Sequence, residues 1–109
     1  MALFLMDEGF LREARTELEK ALAYSEDLGG VYTNWGYYYF ILGDYEQAAA
    51  SYAKAVAFSP DNFDYYNNLG LALHQAGKND EVIAAFRQSL AINPDQPKVR
   101  AYLRDHHLK

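Results

Sequence analysis

The sequence predicts an all-α fold: a short stack of antiparallel helical hairpins forming a single domain over residues 1–109. Three observations predict it. The chain repeats itself every 34 residues, apolar residues within a repeat recur at helical spacing, and glycine and proline fall between the periodic runs. Self-similarity at such a period marks a repeat architecture, in which each unit buries its apolar face against the next.

The repeat emerges by laying residues 29–62 over residues 63–96. Asn34 falls on Asn68, Gly36 on Gly70, Gly43 on Gly77 and Ala50 on Ala84. Tyr52 falls on Phe86, and Ser59-Pro60-Asp61 on Asn93-Pro94-Asp95. One shared Gly or Pro would mean little, but this many at one offset is specific. A further step back places Gly43 on Gly9, Ala48 on Ala14, Lys54 on Lys20 and Ala55 on Ala21, so a partial unit occupies about residues 1–28. Residues 97–109 stand where another first helix would begin and serve as a capping helix. Two complete repeats are thus flanked by two partial ones.

Each element follows from local pattern. Seven helices are expected, at about 2–8, 10–24, 29–42, 45–58, 63–76, 79–92 and 96–107. Leu11, Ala14, Leu18, Ala21 and Leu22 share one helical face, as do Val99, Tyr102 and Leu103. Gly9, Gly43 and Gly77 are read as tight turns inside hairpins, where a positive φ costs glycine little. Asp44 with Gln47 has the spacing of a capping box, and Lys78-Asn79-Asp80-Glu81 is a poorer cap. Pro60 and Pro94 punctuate the links between hairpins, and Pro97 fits the first turn of the last helix, where its missing N–H is no loss.

With these residues in place the unit resembles the tetratricopeptide repeat. The middle copy reads Tyr32, Trp35-Gly36, Tyr39, Ala48, Tyr52, Ala55 and Pro60; the next reads Tyr66, Leu69-Gly70, Leu73, Val82, Phe86, Ser89 and Pro94. The resemblance implies a right-handed α–α superhelix, or solenoid, with a concave groove lined by the first helix of each hairpin. Gly36 and Gly70 would let paired helices approach closely opposite Ala48 and Val82, with Tyr52 and Phe86 filling the gap to the neighbouring helix. Val82 and Ser89 stand where the family carries alanine, which suggests a slightly splayed third hairpin.

Composition narrows the function. Half of the residues are apolar and 23% are charged, as in an ordinary globular domain. There is no cysteine, which excludes disulfides, thiolate metal ligands and cysteine nucleophiles and suits a reducing, cytoplasmic setting. Met1–Met6 is apolar but too short for a membrane span and lacks a basic flank. The net charge of −5 is uneven: −6 over residues 1–62, −2 over 63–97 and +3 over 98–109. An acidic body repels a phosphate backbone, so no nucleic-acid partner is expected. The basic tail complements the C-terminal end of a last helix.

The resemblance implies a protein–protein interaction module, an adaptor or scaffold holding a peptide or helix of a partner. By alignment its groove is lined by Thr33, Tyr37, Phe40 and Ile41 in one hairpin, and by Asp64, Asn67, Leu71, His74 and Gln75 in the next. Leu3 and Met6 join from the first helix, and Lys98, Ala101 and Asp105 from the last. Tyr32, Trp35, Gly36 and Tyr39 are expected to face the hairpin partner, which turns Tyr37, Phe40 and Ile41 away; rigid aromatics there make good anchors. The alternative reading makes the whole Tyr37–Phe40 run core packed between adjacent hairpins. Some members grip a C-terminal carboxylate with Lys, Asn and Arg. Here Asn68 and Lys98 occupy two such positions, but Thr33, Tyr37 and Tyr102 occupy the others, so that clamp is incomplete.

No catalytic, cofactor or metal constellation emerges. His74 stands alone in sequence and reads as a polar liner rather than a base. His106 and His107 diverge by about 100° on a helix and cannot share one ion. Glu13 and Glu17, among Arg12, Arg15 and Glu19, read as a solvated stripe. A second reading is structural: an N-terminal end carrying Leu3, Phe4, Leu5 and Met6 pairs with another copy, giving a homo-oligomer, or continues into a longer protein.

Overall fold

The computed structural model describes residues 8–107 as six helices joined by short links. They are α1 (Glu8–Tyr24), α2 (Leu28–Leu42), α3 (Tyr45–Phe58), α4 (Phe63–Gln75), α5 (Asn79–Ile92) and α6 (Pro97–His107). No strand occurs among the described residues. The expected helix at about 2–8, with Leu3, Phe4, Leu5 and Met6, lies outside the described residues. The other six expected helices are present with bounds within two residues.

The turns inside the two hairpins are built identically. Gly43 and Gly77 adopt φ 81° and 80°, the left-handed conformation that only glycine takes cheaply. At the first, the N–H groups of Gly43 and Asp44 donate to the carbonyls of Phe40 and Tyr39; at the second, those of Gly77 and Lys78 donate to His74 and Leu73. These bonds satisfy carbonyls that the helix end would leave without donors. Gly9 departs from the expectation. It lies inside α1, which begins at Glu8, so no turn forms there.

Helix starts differ more than helix ends. Asp27 accepts from the Gly30 N–H at 3.0 Å, Asp44 from Gln47 at 3.3 Å, and Asn62 from Tyr65 at 3.2 Å. Lys78, before α5, supplies no side-chain cap, as its residue type dictates.

The core explains the repeat. The Tyr52 ring lies directly on Gly36, where an added Cβ would meet it at 2.5 Å, and the Phe86 ring lies on Gly70 in the same way. Each glycine is the floor of a ring seat within its own hairpin, and a helical glycine's intrinsic cost of about 1 kcal/mol is offset by that packing. Val82 and Ser89 are fully buried, so the third hairpin closes over them. One cluster joins Ala48, Ala49, Tyr52, Ala72, Leu73, Val82, Ala85 and Phe86, with Val99, Tyr102 and Leu103 of α6 packed against it. A second joins Val31, Trp35 and Tyr38 to Leu11, Ala14, Leu18 and Ala21 of α1. Trp35 therefore faces the preceding hairpin rather than its own partner α3, as the position demands once α1 has an apolar face to cover. Tyr32 does face its partner, stacking on Phe58 of α3 at 5.8 Å.

Candidate functional site

The first helices α2 and α4, with α6 after them, carry every expected groove residue that is described, and their surfaces are unequal. On α2, Tyr37 is 53% exposed while its neighbours Gly36 and Tyr38 are buried. A large ring held in water beside buried residues is a surface feature, not a packing one. Phe40 behaves differently: half-buried, it packs against the central cluster and meets Tyr45 edge to face at 5.0 Å. Its ring divides between core and surface. Ile41 is half-buried, and the Thr33 hydroxyl donates to the Gly29 carbonyl of its own helix.

The α4–α6 region is where the expected residues converge. Asn67, Leu71 and His74 of α4, Phe86 of α5, and Lys98, Val99 and Tyr102 of α6 line one cleft of about 420 Å³. Four of these were expected groove residues: Asn67, Leu71, His74 and Lys98. Leu71 is 53% exposed, between the buried Gly70 and Ala72. Gln75, at the end of α4, is exposed but not among the cleft residues. Asp64, Ala101 and Asp105 also lie outside it.

A polar lock positions the α6 wall. Gln96, the residue before α6, accepts from the Asn67 amide at 2.8 Å. Its own amide donates to the Asn93 carbonyl at 2.8 Å and the fully buried Ser89 hydroxyl at 2.9 Å. One side chain thus ties α4, α5 and the entry to α6 together, so Asn67 is partly a structural residue. Its carbonyl oxygen is buried and has no donor among the described residues. Tyr102 is held on three sides: edge-on to Phe86 at 5.1 Å, edge-on to His74 at 6.0 Å, and stacked on His106 at 3.9 Å. Lys98 makes no ion pair among the described residues.

Sequence reading missed two things here. Val99 read only as a packing residue, and Tyr102 as packing and as a failed clamp position rather than as a cleft wall, although Tyr102 follows Lys98 by four positions and so shares its face. A second depression, of about 500 Å³, lies between the second helices α3 and α5. Ala49, Ala50, Ala53, Ala84 and Ala85 wall it, and Leu69 and Leu73 line it as well. The one alanine pair at 34-residue spacing, Ala50 and Ala84, was its only signal.

Electrostatics single out one buried group. Burial pushes the Tyr52 hydroxyl up to about 12, with Tyr37 adding to the rise. Tyr52 is thus a neutral core ring under ordinary conditions. Among the described residues no cluster of histidine and carboxylate groups could hold a metal ion, and no helix is long and apolar enough to cross a membrane.

Comparison with known proteins agrees with this architecture. A family model described as TPR repeat matches residues 36–77, and one described as Tetratricopeptide repeat matches residues 63–96. No curated protein matches the chain. Together the two models span residues 36–96, through both glycine ring seats and all but the α6 wall of the cleft. The chain belongs to the tetratricopeptide repeat family, whose repeats generally act in protein–protein interaction.

Proposed function

We propose that this chain is a protein–protein interaction module that takes a peptide or helix of a partner along the surface of α2, α4 and α6. The observation that carries this reading is the exposure of Tyr37 and Leu71, each at 53%, on helices whose adjacent residues are buried. The two occupy the same position one repeat apart. Exposed apolar side chains at equivalent repeat positions form a continuous strip, and such a strip suits an elongated guest. The cleft at the α6 end adds a concave terminus to it. No catalytic role is proposed for His74, which supplies a polar edge.

The test is the double variant Tyr37→Ala with Leu71→Ala, used as bait against the wild-type chain. Capture of partners should fall by at least about tenfold, the ordinary effect of losing two anchors. Helix content should stay constant and the melting temperature should move by only a few degrees. Collapse of the fold would make these residues core, and unchanged capture would remove the groove from the binding surface.

A second reading is self-association at the α1 end. Tyr24 is 86% exposed and Leu22 is 38% exposed there, which gives a copy something apolar to cover. Light scattering over a range of concentrations separates the readings, since a strict monomer removes self-association.

A further inference from the structure

We propose that α6 of one copy of this chain docks on the open face of α1 of a second copy, so that the two helices complete a hairpin across the chains. This rests on the self-association reading and deepens it by naming the mate and the register. It is independent of the binding of a guest along α2, α4 and α6.

The repeat register shows what α1 lacks. α1 aligns with α3 and α5, the second helices of the two hairpins. One stripe of each of those helices is covered: Ala48, Tyr52 and Ala55 are buried on α3, and Val82, Phe86 and Ser89 on α5. The same positions on α1 are Ala14, Leu18 and Ala21, and all three are partly exposed. With Glu17 they line a depression of about 460 Å³ beside Tyr37 and Tyr38 of α2. Tyr24 stands at the position of Phe58, on which Tyr32 stacks. No ring covers Tyr24 among the described residues, and it is 86% exposed.

α6 is the reverse case. It aligns with the first helices α2 and α4, and packs on the core through Val99, Tyr102 and Leu103. Its counterparts of Tyr32 and Gly36, the positions that meet α3, are Arg100 and Arg104, and both are exposed.

Charge selects the mate. Residues 1–62 carry −6 and residues 98–109 carry +3. Two α1 ends repel each other, as do two α6 ends, and only unlike ends attract. The register then sets the contacts. Arg100 arrives over the Tyr24 ring, as Tyr32 lies over Phe58, and a guanidinium on a tyrosine face is a favourable pair. Arg104 arrives at Leu18, as Gly36 meets Tyr52, with Glu17 beside it. Leu18 is smaller than Tyr52, so it leaves room for a side chain where Tyr52 leaves none beside Gly36. The contacts exchanged are exposed and weak: Glu17 holds Lys20 at 3.8 Å, Arg104 holds Asp105 at 3.4 Å, and Arg100 donates to the Pro94 carbonyl at 3.4 Å. The contact is head to tail, so its repetition lengthens the stack rather than closing a dimer.

Sedimentation of the full chain over a range of concentrations, with the variants Arg104→Glu and Glu17→Arg, tests this. Both side chains are well exposed, so helix content should stay constant. The wild type should gain mass steadily with concentration, with no plateau at two chains, and lose it at high salt. Each variant alone should associate at least about tenfold more weakly. An equal mixture of the two should recover wild-type association, because each end then meets its opposite charge on the other chain. Single cysteines read the register, since the chain has none of its own. Chains with Tyr24→Cys and Arg100→Cys should form a mixed disulfide on oxidation faster than either forms its own dimer. A plateau at two chains, association that neither variant weakens, or Tyr24→Cys chains that cross-link preferentially with each other overturns the proposal while leaving self-association in place. A strict monomer overturns both and leaves the guest-binding reading to the Tyr37→Ala, Leu71→Ala capture.

Discussion

The two hairpins α2–α3 and α4–α5 share a core and differ on their surface. Tyr52 on Gly36 and Phe86 on Gly70 are the same seat built twice, and Gly43 and Gly77 are the same turn built twice. On the outer faces the copies part. Tyr37 of one becomes Leu71 of the other, and Asp44, which caps α3, becomes Lys78, which does not cap α5. Positions that must nest against a neighbour tolerate few side chains, because interiors are packed to crystal density. Positions that meet water are free to vary, and there the individuality of the molecule resides.

If the seats are equivalent, breaking either should cost about the same. Phe86→Ala and Tyr52→Ala each remove a buried ring and should destabilise the chain by about 3–5 kcal/mol, read as a large drop in chemical-denaturation midpoint. A small loss at one and a large loss at the other would show that the seats are not alike.

Next in size is a difference in pH response. Tyr52 ionises at about 12 in the fold and near 10 when unfolded, so the folded state holds its proton more tightly. Its contribution is complete below pH 10 and is lost as the pH rises from 10 to 12, by about 3 kcal/mol in all. Phe86 has no proton to lose, so Tyr52→Phe should flatten that alkaline decline. An equally steep decline in the variant would place its cause elsewhere.

The caps sharpen the comparison further. Asp44→Ala should cost about 1 kcal/mol, and Lys78→Asp should add a similar amount by giving α5 the cap it lacks. Thermal melting checks both, with shifts of several degrees in opposite directions. The smallest effect belongs to the surface. Tyr37→Ala alone should change stability by about 0.5 kcal/mol or less, because its ring already stands in water.

The same contrast decides what was legible in the sequence. The hairpin boundaries could be read because αL turns and ring seats demand particular residues, and Gly43, Gly77, Gly36 and Gly70 advertise them at one offset. Trp35 was misread because its helix contacts both α1 and α3, and periodicity alone does not say which neighbour a face meets. Gly9 was misread because a glycine does not mark a turn by its residue type alone, and here it lies in the first turn of α1. The groove positions Asn67, Leu71, His74 and Lys98 were found through family alignment and do share one cleft. Its far wall was legible only in part: alignment put Tyr102 at a groove position, but nothing marked Val99. Tyr102 and Val99 reach it only because Gln96 locks α6 to Ser89 and Asn67, and no periodicity records a hydrogen bond across 29 positions.

Hydrogen–deuterium exchange of the chain, with and without a captured partner, tests the central claim most directly. A guest on the first-helix surface should slow exchange in residues 33–41, 67–75 and 98–102 and leave α3 and α5 as they were. Slowed exchange confined to α3 and α5, around Ala50, Ala53 and Ala84, would move the binding face to the depression between the second helices and contradict the account.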